Sequence, residues 1–151
     1  VAALVVLLAG ARVVVDRTTQ QDQARRDVAA LEAVSAATER LLRDPSHRVV
    51  ELTTTTGGPG GSISWSAHDF VVLTSVLVPP PEGQVYRCWI ERDGTRSPVG
   101  QMAFAGLTAF WYGSLYEWAT TSFGSGVFGV SLEPASGPEG HPPVLSGNLG
   151  S

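Results

Sequence analysis

From Asp16 to Arg43 the chain contains neither glycine nor proline, whereas from Pro45 onward both interrupt it repeatedly. That change sets a helix ahead of a β region before any motif is considered. Within the first stretch Ala24, Val28, Leu31, Val34 or Ser35, Thr38 and Leu41 or Leu42 recur at helical spacing. Asp44-Pro45 ends it, because the residue before a proline is driven out of the α region. The stripe is thin and includes Ser and Thr, so it predicts packing on the helix's own domain rather than a strong coiled coil.

Ahead of this stretch, Val1 to Ala11 is apolar apart from Gly10, and Arg12 precedes Val13-Val14-Val15. A bilayer span needs roughly 20 apolar residues. Residues 1–15 therefore read as the C-terminal part of a transmembrane helix, with Arg12 reaching the interface. A signal-peptide core would need a basic segment before it, and a short buried helix is the remaining reading. With no breaker between Ala11 and Arg43, the membrane segment and a juxtamembrane stalk over residues 16–44 form one rod of roughly 60 Å, at about 1.5 Å per residue.

Beyond Pro45 the sequence predicts seven strands: Arg48 to Thr54, Ser62 to Ala67, Phe70 to Val78, Gln84 to Glu91, Val99 to Phe104, Leu107 to Tyr112 and Val127 to Leu132. Gly57-Gly58-Pro59-Gly60-Gly61, His68-Asp69, Pro79 to Gly83, Asp93-Gly94 and Gly124-Ser125-Gly126 supply the turns. Short strands at roughly ten-residue intervals predict a mainly β domain, an immunoglobulin-like antiparallel β-sandwich over residues 45–134. Residues 135–151 form a Gly/Pro-rich tail. Its Pro142-Pro143-Val144-Leu145 can pair as an edge strand, where proline is tolerated. A chain of 151 residues with 43% hydrophobic and 16% charged residues has room for one such core and a helical extension.

Composition removes several chemistries. All ten basic residues are arginine, so Schiff-base, P-loop and Ser-Lys mechanisms are excluded. Up to Arg48 there are seven Arg against six acids, and beyond it three Arg against eight, which leaves the C-terminal part at about minus five and unsuited to nucleic acid. A single cysteine, Cys88, allows no internal disulfide and no cysteine-rich metal site.

The motifs that suggest chemistry fail on context. Gly124-Ser125-Gly126-Val127-Phe128-Gly129 has the spacing of a dinucleotide loop but leads into a strand-like segment closed by Glu133-Pro134. His47, His68 and His141 are isolated and lack metal-ligand spacing. Cys88 and His68 could pair as nucleophile and base. Yet Cys88 shares a strand face with Tyr86 and Ile90, opposite Val85, Arg87 and Trp89, and reads as a small buried residue. Ser125 lacks the context of a hydrolase elbow. No catalytic constellation, cofactor site or metal site emerges. Phe110, Trp111, Tyr112, Tyr116 and Trp118 gather five of the twelve aromatic residues within nine positions. They read as core and loop packing or, alternatively, as a recognition patch of Trp111, Tyr112, Tyr116 and Trp118 for a glycan, a lipid headgroup or an envelope protein.

Four segments, in order, carry a resemblance: Leu41-Leu42-Arg43-Asp44-Pro45 with Arg48-Val49-Val50-Glu51-Leu52; Pro79 to Ile90 with Tyr86-x-x-Trp89; Pro98-Val99-Gly100-Gln101-Met102-Ala103-Phe104; and Val130-Ser131-Leu132-Glu133-Pro134. Together they resemble the anti-sigma-K factor family. The resemblance implies a non-enzymatic, single-pass protein of the cell membrane whose β domain lies on the extracytoplasmic side. It implies an extracytoplasmic-function sigma factor as partner, held by an N-terminal domain upstream of this chain. Release is then expected through regulated proteolysis, by a site-1-type protease and then an intramembrane protease.

Overall fold

The computed structural model describes residues 2–114 and 126–150, with side chains from residue 19 onward. One helix, α1 (Ala2–Arg43), is followed by β1 (Arg48–Thr54), β2 (Pro59–Trp65), β3 (Asp69–Thr74), β4 (Gln84–Arg92), β5 (Thr95–Gln101), β6 (Ala103–Ala105), β7 (Thr108–Ser114), β8 (Val127–Pro134) and β9 (Pro143–Asn148). The helix ends where Asp44-Pro45 predicts. The Asp44 carboxylate accepts hydrogen bonds from the Ser46 backbone N–H at 2.8 Å and hydroxyl at 2.6 Å, and these hold its pKa below the ordinary value. Among the described residues no helix is long and apolar enough to cross a membrane. The side chains of residues 1–15, expected to belong to a membrane segment, lie outside the described residues.

The nine strands among the described residues join one antiparallel sheet in the order β5-β4-β8-β9-β1-β2-β3-β7-β6. A mainly β fold behind a long helix is what the sequence predicts. The immunoglobulin-like division into two sheets is not confirmed, because the hydrogen-bond ladder is continuous. The sheet instead curls until its edges meet in sequence: β5 and β6, at opposite ends of the order, are separated by Met102 alone. Met102 is buried and its N–H donates to Tyr86 O at 2.9 Å. The segment Val99 to Phe104, expected as one strand, is thus two strands on opposite edges, because the chain leaves one ladder and joins the other at that anchored residue.

The tail also differs from expectation. Residues 143–148 pair with β8 and β1 and lie inside the sheet, not at an edge. Pro143 is tolerated there because it is the first residue of β9 and sits beyond a register shift at Val130/Ser131.

Inside the curl Phe128, Val130, Leu52, Ile63, Leu145 and Leu149 are almost fully buried, and Phe70 meets Phe128 with ring centroids 5.8 Å apart. Each such side chain contributes about 1.5–3 kcal/mol through burial. Tyr86, Cys88 and Ile90 of β4 face this core, as the strand alternation predicts. On β4's other face the Trp89 ring lies over its register partner Gly129, where an added Cβ would stand 2.2 Å from Trp89 Cζ2. Trp89 is pinned by a 3.1 Å hydrogen bond from Nε1 to Ser131 Oγ and cannot swing aside without breaking it. Gly129→Ala should therefore cost about 1–3 kcal/mol as an overpacked site, read from the urea midpoint, and an unchanged midpoint would refute this packing.

The helix packs on the outer surface of β3, β6 and β7. Val34, Ala37 and Leu41 are buried against Val71, Ala105 and Phe110, with Ala30 and Leu73 beside them. The spacing 30, 34, 37, 41 selects Val34 and Leu41 from the alternatives in the sequence stripe and leaves Val28, Leu31 and Leu42 exposed. Arg40 reaches Asp69 at 3.2 Å, tying the last turns of the helix to the start of β3.

Candidate functional site

The aromatic residues nominated as a recognition patch do not share a surface where they are described. Trp111 points into the curl, edge-on to Phe70 with centroids 5.5 Å apart. It also spans the gap between the sheet edges: a Cβ on Gly100 of β5 would lie 2.1 Å from Trp111 Nε1. Tyr112 projects from the opposite face, 42% exposed and stacked on Phe110 at 6.3 Å. Tyr116 and Trp118 lie outside the described residues.

Cys88 is completely buried, and burial pushes its thiol well above the ordinary value, so it is neither an accessible nor an activated nucleophile. His68 is exposed in the β2–β3 turn. His47 Nδ1 lies 2.7 Å from Asp44 O, at the helix end. Among the described residues no three potential ligands gather as a metal site.

Among the described residues a cluster of charged side chains lies on the outer face of β4 and β8, beneath the connector of residues 135–142. Strand alternation places Gly129, Ser131 and Glu133 of β8 beside Trp89 of β4. Glu133 is 2% exposed. Its Oε1 accepts from Ser131 Oγ at 2.6 Å, Gly140 N at 3.2 Å and His141 N at 3.0 Å, and its Oε2 meets His141 Nδ1 at 2.5 Å. Burial works to raise this carboxyl's pKa. The bonds from Ser131, His141 and the two backbone N–H groups outweigh burial and lower it from 4.5 to about 2. The carboxylate is therefore permanently ionised at neutral pH.

Arginines extend the cluster. Arg96 lies over the Trp89 ring, 3.9 Å from its centroid, donates to His141 O at 2.8 Å and pairs with Glu91 at 2.9 Å. Arg87 pairs with Glu139 at 3.3 Å and donates to Ala135 O at 3.3 Å. Three residues of the connector are thus bound by side chains of β4 and β5, and its backbone by Glu133.

Serine, histidine and a carboxylate meet here, but not as a hydrolytic triad. In a triad the histidine accepts from the serine and the carboxylate orients the histidine. Here Glu133 stands between them, and its partner Ser131 is fully buried. What the arrangement can do is hold the connector, and with it the last strand, against the sheet. Sequence reasoning found Glu133 only as a strand end and His141 only as an isolated residue. The available signal was that Ser131 and Glu133 alternate onto the face of Trp89, so that any cover over that face must supply hydrogen-bond donors.

A sequence model of the family described as anti-sigma-K factor rskA, C-terminal, matches residues 1–144. No curated protein and no solved structure matches the chain. The matched span takes in the helix, the first eight strands, the carboxylate clasp and the start of β9. With a match over nearly its whole length, the chain belongs to the anti-sigma-K factor family.

Proposed function

We propose that the chain is the extracytoplasmic regulatory domain of a single-pass membrane anti-sigma factor, controlling release of an extracytoplasmic-function sigma factor through regulated proteolysis. Family membership supports a sigma factor as partner and a regulatory rather than enzymatic role. The observation that carries the finer reading is mechanical: α1 runs without a break from Ala2 to Arg43, and its last turns are buried on β3, β6 and β7. A rod fixed in this way to a folded body transmits the state of that body along its length. In this reading residues 1–15 enter the membrane, and the sigma factor is held by a segment on its other side.

The sheet then acts as a guard. While it is folded, its bulk and its hold on Val34, Ala37 and Leu41 keep a site-1-type protease from an extended substrate, since proteases act on locally unfolded backbone. Loosening of the domain exposes the stalk, and an intramembrane protease completes the release. The test is deletion of residues 49–151 in a membrane-anchored chain carrying its sigma-binding segment, with a sigma-dependent reporter as readout. The expected result is release without inducer. Inhibition and induction both unchanged would overturn the guard reading.

A further inference from the structure

In the strand order the chain's last strand, β9, separates two blocks, β5-β4-β8 and β1-β2-β3-β7-β6, and bonds to both. Its two sides are unequal. Five residue pairs join it to β8, from Val127↔Asn148 to Ser131↔Pro143, whereas only Thr53↔Ser146 and Thr54↔Leu145 join it to β1. Register shifts flank the seam on both neighbours, at Leu52/Thr53 and at Val130/Ser131. The seam between β9 and β1 is therefore the short link in the ladder.

The slot that β9 fills is shape-coded at alternate positions. Leu145 is buried above Gly60, where an added Cβ would come within 2.7 Å of Leu145 Cδ2. At Gly147 a Cβ would lie 2.9 Å from Leu52 Cδ2 and 3.0 Å from Glu51 O, so that position excludes a side chain. Leu149 is fully buried, and its N–H donates to Gly126 O at 2.9 Å. Backbone ladders on both sides supply affinity and the alternate pockets supply selectivity, which is the physics of strand addition. The connector that delivers β9 is fastened from outside by Glu133, Arg87 and Arg96, with one backbone bond at its start, from Ala135 N–H to Gly83 O at 2.9 Å.

We propose that β9 is a detachable closing strand. The slot between β8 and β1 then docks one occupant, the chain's own β9 with Leu145, Gly147 and Leu149 at alternate positions, which leaves and returns when the clasp on residues 135–142 lets go. This does not depend on the sigma-factor reading, because it concerns which strand leaves and not what its leaving signals.

The experiment inserts a protease recognition sequence between Gly137 and Pro138 of the full chain and cuts it after folding. A fluorescent peptide of residues 140–151 is then added in excess. The labelled peptide should exchange into the cut protein, and about tenfold faster when Glu133→Gln weakens the clasp. The same peptide carrying Gly147→Leu should fail to bind. Cys88, buried in the core, should stay unreactive to a thiol reagent while the slot is filled and become reactive when the strand is diluted away. No exchange, equal binding of the Gly147→Leu peptide, or a Cys88 that stays protected without the strand would each overturn the proposal. If the inserted sequence prevents folding, amide exchange in the unmodified chain decides. Leu145 and Ser146 should exchange before Cys88 and Trp89, and exchange of all four only together would overturn it.

Discussion

Glu133→Ala should lower the stability of the domain by about 3–5 kcal/mol, read from the urea midpoint at pH 7, because it removes the acceptor at the centre of a buried hydrogen-bonded cluster. Four donors lose their partner together: the Ser131 hydroxyl, the backbone N–H groups of Gly140 and His141, and the His141 ring. Ser131 is fully buried, so water cannot replace the lost bond there without opening the strand pair. Glu133→Gln keeps the shape and one acceptor oxygen but loses the charge, and should cost less than Glu133→Ala. Acid separates the charge from the shape. The folded pKa is depressed from 4.5 to about 2, so the stability it contributes is complete above about pH 4.5 and is lost as the pH falls toward about 2. The wild-type chain should therefore lose stability more steeply across that window than Glu133→Gln does. Parallel loss in the two proteins would mean that this carboxylate is not the group that holds the connector.

The parts of this fold legible in the sequence are those decided by local chemistry. Asp44-Pro45 ends the helix because proline drives the residue before it out of the α region and has no N–H to continue the ladder, and period-two alternation puts Cys88 in the core and Trp89 on the far face. The same alternation separates Trp111 from Phe110 and Tyr112. What escaped was decided by contacts between distant segments. Pro143 argued for an edge strand, but a register shift in β8 lets β9 enter the middle of the sheet. Residues 99–104 contain no turn signal that would split them, and only the pairing of β5 and β6 with different neighbours and the Met102 bond to Tyr86 O show that the chain changes ladders there. Alternation puts Glu133 on the face of Trp89, but its burial depends on Gly140 and His141, which arrive from a connector whose path no local pattern specifies.

At the helix two neighbouring leucines offer the sharpest contrast. Leu41 is fully buried against the sheet and Leu42 is 54% exposed, although they are adjacent in sequence. Leu41→Ala should cost about 2–5 kcal/mol of helix docking through lost burial and the cavity left beneath Val34 and Ala37. Leu42→Ala should stay within about 0.5 kcal/mol of wild type. The readout is amide exchange along residues 30–43, where Leu41→Ala should bring loss of protection while β4 and β8 remain protected. No residue of these strands belongs to the cluster on which the helix packs, so their protection distinguishes undocking from general unfolding. A functional consequence follows if the sheet guards the stalk. In a membrane-anchored chain with its sigma-binding segment, Leu41→Ala should raise sigma-dependent transcription without inducer, and Leu42→Ala should not. Undocking by amide exchange with no rise in transcription would separate the fold from the function, leaving the helix contact as a structural joint and placing the control of release elsewhere in the molecule.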